Sequence, residues 1–205
     1  LSGPNTTGAG KPLKSVVHPN AEQPIFLASI SPGGLRLAAE IAVGVVLSFI
    51  DPGDTDAIVD RHLAEGFSGE GARCAREDFT VSTFVNVVVH DDVAEVQAML
   101  KPAMARQLGG RGSKSKNFYG EFARRMGDEE EVERIQAHYL SGEIAQAAAA
   151  VPEDLIDRTT PLGPPERIRE RLSLWRAAER RGSLDMMLLN STQPEAMNLL
   201  AEELL

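Results

Sequence analysis

Apolar residues along this chain follow two periods, and small residues gather where one gives way to the other. Ile25, Phe26 and Leu27 form a short apolar run closed by Ser29, Ser31, Pro32, Gly33 and Gly34; apolar positions then recur at Leu35, Leu37, Ala38, Ile41 and Ala42. That pattern predicts a strand, a tight turn and a helix. A second run over 45–50, apolar except for Ser48, follows at once, so the segment predicts a βαβ unit whose strands lie parallel and are covered on both faces. Asp51, Pro52 and Gly53 lead to Asp54, an N-cap candidate for a helix burying Ile58, Val59, His62 and Leu63 and stopped by Gly66. His62, on that apolar stripe, reads as a packed residue and not a catalytic one.

The strongest strand signal is 79–89, FTVSTFVNVVV, rich in β-branched and aromatic residues. Asp91 and Asp92 after it can cap a helix carrying Val93, Val96, Met99 and Leu100, which Pro102 is expected to bend or split. Helical patterns follow over 117–126 and 128–150. Gly163, Pro164 and Pro165 then start a helix with Ile168, Leu172 and Trp175 on one face. A last strand over 184–190 and a closing helix over 194–204, with Met197, Leu200 and Ala201 facing inward, end the chain. The order is an α/β layout on parallel strands, and four main strands fit a small open sheet or half of an eight-stranded barrel. Residues 1–23 read as an irregular lead-in with a short edge strand at 14–18, and the helices of about 101–150 read as an insertion.

Composition changes this picture little, and charge changes it at one place. At 205 residues the chain can bury a sizeable core, and its longest mostly apolar stretch, 41–50, interrupted by Gly44 and Ser48, is well short of the ~20 residues that cross a bilayer. The single cysteine, Cys74, excludes an internal disulfide framework, and His18, His62, His90 and His138 do not approach metal-ligand spacing. A net charge of −9 argues against general nucleic-acid binding. The reading is a cytosolic protein with no membrane partner and no structural metal. Against that acidity, 101–116 carries Lys101, Arg106, Arg111, Lys114 and Lys116 with no acidic residue, loosened by Gly109, Gly110 and Gly112; it reads either as an anion-binding loop or as a solvated one. The 29–34 turn likewise has two readings. Its small residues and the positive end of the following helix suit a phosphate, and equally a plain βα connection.

The wording of the sequence adds a resemblance. GKPLKSVVHP at 10–19, PIFLASISPGGLRLAAEIAVG at 24–44, KNFYGEFARRMG at 116–127 and VPEDLIDRTTPLGPPERIRERLSLWRAA at 151–178 resemble, in this order, the C-terminal half of the luciferase-like monooxygenase family, and most of all its deazaflavin (coenzyme F420)-dependent oxidoreductases. The resemblance implies strands five to eight of a (β/α)8 TIM-type barrel with a helical insertion, and a chain that begins in mid-loop. It implies a cofactor phosphate held by the backbone of Ser29, Ile30, Ser31, Gly33 and Gly34. Some members bind a substrate phosphate through an arginine at what resembles Arg158. The family's usual Ala-Asp-Gly is Ala42, Val43, Gly44 here, and its catalytic residues lie mostly in the absent N-terminal strands, so none is named.

Coenzyme F420 is the cofactor expected, with FMN as the alternative; F420 carries an anionic oligoglutamate tail, for which Arg111, Lys114 and Lys116 are the candidate landing site. The activity implied is hydride transfer between the cofactor and an organic small-molecule substrate. Two other readings stand beside it: a non-catalytic phosphate-binding module or inactive fragment, and an open-sheet nucleotide-binding domain, though no GxGxxG follows a strand. Half a barrel leaves two sheet edges and one face uncovered, so a homo-oligomer or pairing with an N-terminal half is expected.

Overall fold

A computed structural model describes residues 18, 20, 22–69, 71–112 and 116–204; the lead-in, including nearly all of the expected edge strand, lies outside them. The βαβ unit forms as β1 (Phe26–Ala28), α1 (Pro32–Ile41) and β2 (Gly44–Ser48). Helix α1 starts where Ser31 is extended and its hydroxyl accepts from the Gly34 N–H, with Pro32 at the first helical position. Its Leu35, Ala38 and Ala39 are buried. After β2, a π turn at Asp56–Asp60 runs into α2 (Arg61–Phe67), which packs beside α1 and buries His62 and Leu63. Gly66 does not stop this helix. It lies inside α2, where a Cβ would come within 2.7 Å of the Ala39 Cβ, so its role is the close approach of α1.

β3 (Thr80–Asn86) and β6 (Met186–Asn190) complete an all-parallel sheet in the order β1-β2-β3-β6, with Leu27 opposite Val45, Val45 opposite Val81 and Thr83 opposite Met187. The 79–89 run is not one strand. β3 ends at Asn86, and β4 (Val88–Val89) leaves the sheet to pair with β5 (Leu162–Gly163). An unbroken β-branched run carries no mark of where its pairing partner changes. Helix α8 (Pro165–Arg180) returns the chain to β6 and buries Ile168, Leu172 and Trp175; α9 (Pro194–Leu204) follows.

Side chains alternate along each strand, and here the two faces differ sharply. Val45, Leu47, Val81 and Val85 are at most 1% exposed, whereas Phe26, Phe84 and Met186 on the other face are exposed by 43%, 54% and 47%. The expectation that both faces are covered therefore holds for one face only. Four parallel strands joined by helices on a single side make half of a (β/α)8 barrel, whose bare face corresponds to a barrel interior. α9 bears the same stamp. Ala196, Leu199 and Leu200 are its buried residues, while Met197 and Ala201, expected to face inward, are exposed, Met197 by 44%, and line an apolar groove with Leu200 and Leu204 beside β6.

Between β4 and β5 lie α3 (Val93–Ala105), α4 (Phe118–Arg125), α5 (Glu129–Leu140), α6 (Ile144–Ala149) and α7 (Glu153–Thr159). Asp92 caps α3 by accepting from the Glu95 N–H at 3.0 Å. Pro102 sits inside α3 without splitting it, and the helix widens into a π turn at Arg106–Gly110. Gly109 and Gly110 do not loosen the chain: both lie against Tyr139, and a Cβ on Gly109 would stand 2.8 Å from the Tyr139 Cβ. The helix expected over 128–150 is two, parted where Gly142 takes a left-handed φ of 80°.

Candidate anion-binding site

The turn between β1 and α1 is built tightly. Ser29 N–H donates to the Val46 carbonyl at 3.2 Å and so continues the sheet, while its hydroxyl accepts from the Ser31 N–H at 3.2 Å. Ser31 Oγ in turn accepts from the Gly34 N–H at 3.2 Å. A Cβ on Gly34 would fall onto the Ser29 hydroxyl, 2.8 Å from the Ser29 Cβ and 2.9 Å from Ser31 Oγ, so only glycine fits. At Gly33 a Cβ would meet nothing within 4 Å. The two serine hydroxyls thus occupy amides that an anion's oxygens would otherwise take, and each hydroxyl can turn away about one bond. The ten-residue α1 directs its positive end to the same place.

This turn is one wall of a cavity of about 460 Å³ at the C-terminal ends of β1 and β2, lined also by Val46, Ser48, Phe84, Phe118 and Tyr119. Ligands of parallel α/β sheets bind at such strand ends. Just beyond β2, Phe49 has φ 61°, a left-handed conformation that costs a bulky residue roughly 1–2 kcal/mol. Its ring meets Tyr119 edge to face, with centroids 6.3 Å apart. Phe118 and Tyr119 come from the first turn of α4, which Asn117 caps by accepting from the Tyr119 and Gly120 N–H groups at 3.1 Å each. The far end of the same helix also reaches the turn: Arg125 Nη2 donates to the Ile30 carbonyl at 2.7 Å.

Ser29, Ile30, Ser31, Gly33 and Gly34 are therefore brought together in one short turn. Arg111 packs on the cavity wall, its guanidinium 5.5 Å above the ring of Tyr119, and Lys116 is exposed close to the start of α4; Lys114 lies outside the described residues. Lys101, of the same basic segment, is bound instead to Glu153 at 3.0 Å.

Arg158 sits in an ion-pair network. It reaches both Asp128 oxygens at 2.7 and 2.9 Å, Asp154 at 2.7 Å and Asp51 at 3.6 Å, so a substrate anion there competes with three carboxylates. Burial lowers the Arg158 pKa, but the Asp128 hydrogen bonds and charge outweigh it and the net direction is up. Burial also lifts the Asp128 carboxyl above its usual range, against the pull of Arg158. The double hydrogen bond at 2.7 and 2.9 Å decides for a formed ion pair.

The luciferase-like monooxygenase family model matches residues 3–181. This chain belongs to that family. Among curated relatives it is 35% identical over 202 residues to the putative coenzyme F420-dependent oxidoreductase Rv3520c of Mycobacterium tuberculosis, a match covering 98% of this chain and 57% of the relative. Among solved structures it resembles the coenzyme F420-dependent tetrahydromethanopterin reductase from Methanopyrus kandleri, with TM-score 0.63, 21% identity, and coverage of 88% of this chain and 49% of that one. It also resembles an F420-dependent secondary alcohol dehydrogenase in complex with an F420–acetone adduct, with TM-score 0.59, 13% identity, and coverage of 91% and 49%. The chain thus spans about half the length of the proteins it matches. At these identities the structural likeness speaks for the fold, and it agrees with the half-barrel drawn from the sheet.

Sequence reasoning missed Phe49, Phe84, Phe118, Tyr119 and Arg125 as residues around this candidate site. Phe84 and Phe118 look like any other apolar position, and a left-handed phenylalanine has no sequence mark. Tyr119 and Arg125 stood within KNFYGEFARRMG, but nothing there says which aromatic or which arginine turns toward a segment about 90 residues earlier.

Proposed function

We propose that this chain is the cofactor-phosphate half of an F420-dependent luciferase-like oxidoreductase. The observation that carries the reading is the Ser29–Ile30–Ser31–Pro32–Gly33–Gly34 turn, closed to any Cβ at Gly34 and set at the start of α1 beside a cavity at the strand ends. The residues suit the phosphate of either F420 or FMN; the names of the relative and of the two structural neighbours favour F420. When bound, the deazaflavin ring supplies hydride exchange with an organic substrate. This chain's part is to hold the phosphate, to offer the apolar walls of Phe84, Phe118 and Tyr119, and to exclude water there. Arg111, Lys114 and Lys116 are proposed to receive the anionic tail, with the Arg111 guanidinium packed on a residue of the cavity wall. The bare sheet face and the free edges of β1 and β6 are proposed to be covered by an N-terminal half-barrel or by a second copy.

One observation favours a second reading, a phosphate-binding module without catalysis. Among the described residues, the cavity lining contains no carboxylate, imidazole or amine, and Tyr119 is its sole ionisable side chain. Both readings are tested by titrating the chain, alone and with an N-terminal half supplied, with F420 and with FMN, followed by assay of F420 reduction with a panel of alcohols. The oxidoreductase reading expects micromolar or tighter F420 binding and reduction only in the assembled form. Binding without turnover favours the module, and no binding of either cofactor sinks both.

A further inference from the structure

The Ile30–Ser31 peptide of the turn is held by a residue from outside the β/α units. Arg125, at the end of α4, is separated from Ile30 by 95 residues and donates to its carbonyl at 2.7 Å. In a trans peptide the C=O and the N–H point in opposite directions, so fixing the Ile30 carbonyl fixes the Ser31 N–H on the opposite side. There it meets Ser29 Oγ at 3.2 Å, the acceptor that an anion's oxygen would replace. A flipped peptide would present a carbonyl to the anion in place of an amide.

Among the described residues, no carboxylate forms an ion pair with this arginine, whose hydrogen-bond partner is the Ile30 carbonyl. Its Nε is shut off from water and has no hydrogen-bond acceptor among the described residues, and its guanidinium otherwise lies 5.2 Å above the Phe122 ring. Burial lowers its pKa; Glu121 acts the other way, and the Arg61 charge adds to the lowering. Glu121 is itself paired with Arg124 at 2.7 Å. A guanidinium so placed is poorly compensated, and an anion at the turn is the charge that would complete it.

We infer that Arg125 is the positioning residue of the anion turn: it reaches from the inserted helices to lock the Ile30–Ser31 peptide and sets a fixed positive charge behind it. This rests on the phosphate reading of the turn. It also ties the insertion to cofactor binding, because α4 carries the cavity-wall residues Phe118 and Tyr119 at one end and Arg125 at the other.

The test is phosphate-specific. Wild type, Arg125→Met and Arg125→Lys are titrated with F420 and with its phosphate-free deazaflavin fragment, and in parallel with FMN and riboflavin, and each variant is melted. The wild-type preference for the phosphorylated ligand should fall about tenfold or more in Arg125→Met, the scale of one charged hydrogen bond, and recover in part in Arg125→Lys. The melting temperature should be unchanged or higher, because Arg125→Met keeps the packing of the stem and removes a poorly compensated charge. An intact preference in Arg125→Met overturns the inference while leaving the phosphate reading in place. So does an equal loss for both ligands with a lower melting temperature in both variants, which marks a merely structural residue. A wild type without preference for the phosphorylated ligand overturns the phosphate reading, and the inference with it.

Discussion

Gly34→Ala separates a tight anion turn from an ordinary one. The added Cβ would lie 2.8 Å from the Ser29 Cβ and 2.9 Å from Ser31 Oγ, as well as on the Ser29 hydroxyl. The hydroxyl can rotate away. The Ser29 Cβ cannot, because Ser29 N–H is hydrogen-bonded to Val46 in the sheet, so the turn itself must move. Two neutral hydrogen bonds, Ser31 N–H to Ser29 Oγ and Gly34 N–H to Ser31 Oγ, are then weakened at about 0.5–1.5 kcal/mol each. Alanine's better helix propensity returns about 0.5–1 kcal/mol. The net loss of stability is therefore small, about 0.5–2 kcal/mol, or a few degrees in melting temperature for a chain of this size. Binding should suffer more. An amide turned off the phosphate forfeits a charge-assisted hydrogen bond of about 1.5–3 kcal/mol, a tenfold or larger rise in the F420 dissociation constant. Fluorescence-quenching titration and thermal unfolding read the two effects separately. Gly33→Ala is the control for folding, since its Cβ meets nothing within 4 Å and stability should not fall. An unchanged dissociation constant in Gly34→Ala, together with an unchanged melting temperature, would refute both the tightness of the turn and its place in the site.

Three further outcomes are expected. Arg158→Met leaves the buried Asp128 carboxylate beside Asp154 and Asp51 without its cation and should cost about 2–4 kcal/mol in urea unfolding at pH 7, less at low pH where Asp128 takes up a proton, and less in combination with Asp128→Asn. Asp60 is raised above its ordinary 3.8 chiefly by burial, against a Ser183 hydrogen bond and with Asp56 adding to the rise and Arg76 opposing it. The folded chain thus holds that proton more tightly than the unfolded one, so this stability is present below about pH 4 and lost as pH rises through the folded value. Asp60→Asn should flatten that part of the pH profile, and an unaltered profile counts against the raised, half-buried carboxyl. Reversal of Lys114 and Lys116 to Glu should weaken F420 binding most at low salt and leave FMN nearly unaffected, each exposed contact being worth ~0.2–1 kcal/mol; an equal loss for both ligands removes the tail site.

What the sequence could disclose was what depends on neighbours along the chain. The β1–α1–β2 unit, the Asp92 cap and the Ile168–Leu172–Trp175 face are local patterns, and each is formed within a few residues of where its signal lies. The 29–34 turn was legible for the same reason. What stayed hidden depends on partners far away. Phe26, Phe84 and Met186 are as apolar as Val45 and Val81, because a parallel barrel strand is apolar on both faces, and no period distinguishes the covered face from the bare one. Gly66, Gly109 and Gly110 read as a stop and as looseness; Ala39 and Tyr139, 27 to 30 residues away, make them points of close contact.

Arg124 and Arg125 show the limit most plainly. They are adjacent and chemically identical, yet successive helical positions point about 100° apart, which directs one to Glu121 three residues back and the other to a carbonyl 95 residues away. A salt-bridge spacing announces the first. The second is visible only once α4 is packed against the β1–α1 turn, and it is the one that touches the peptide of the candidate anion turn.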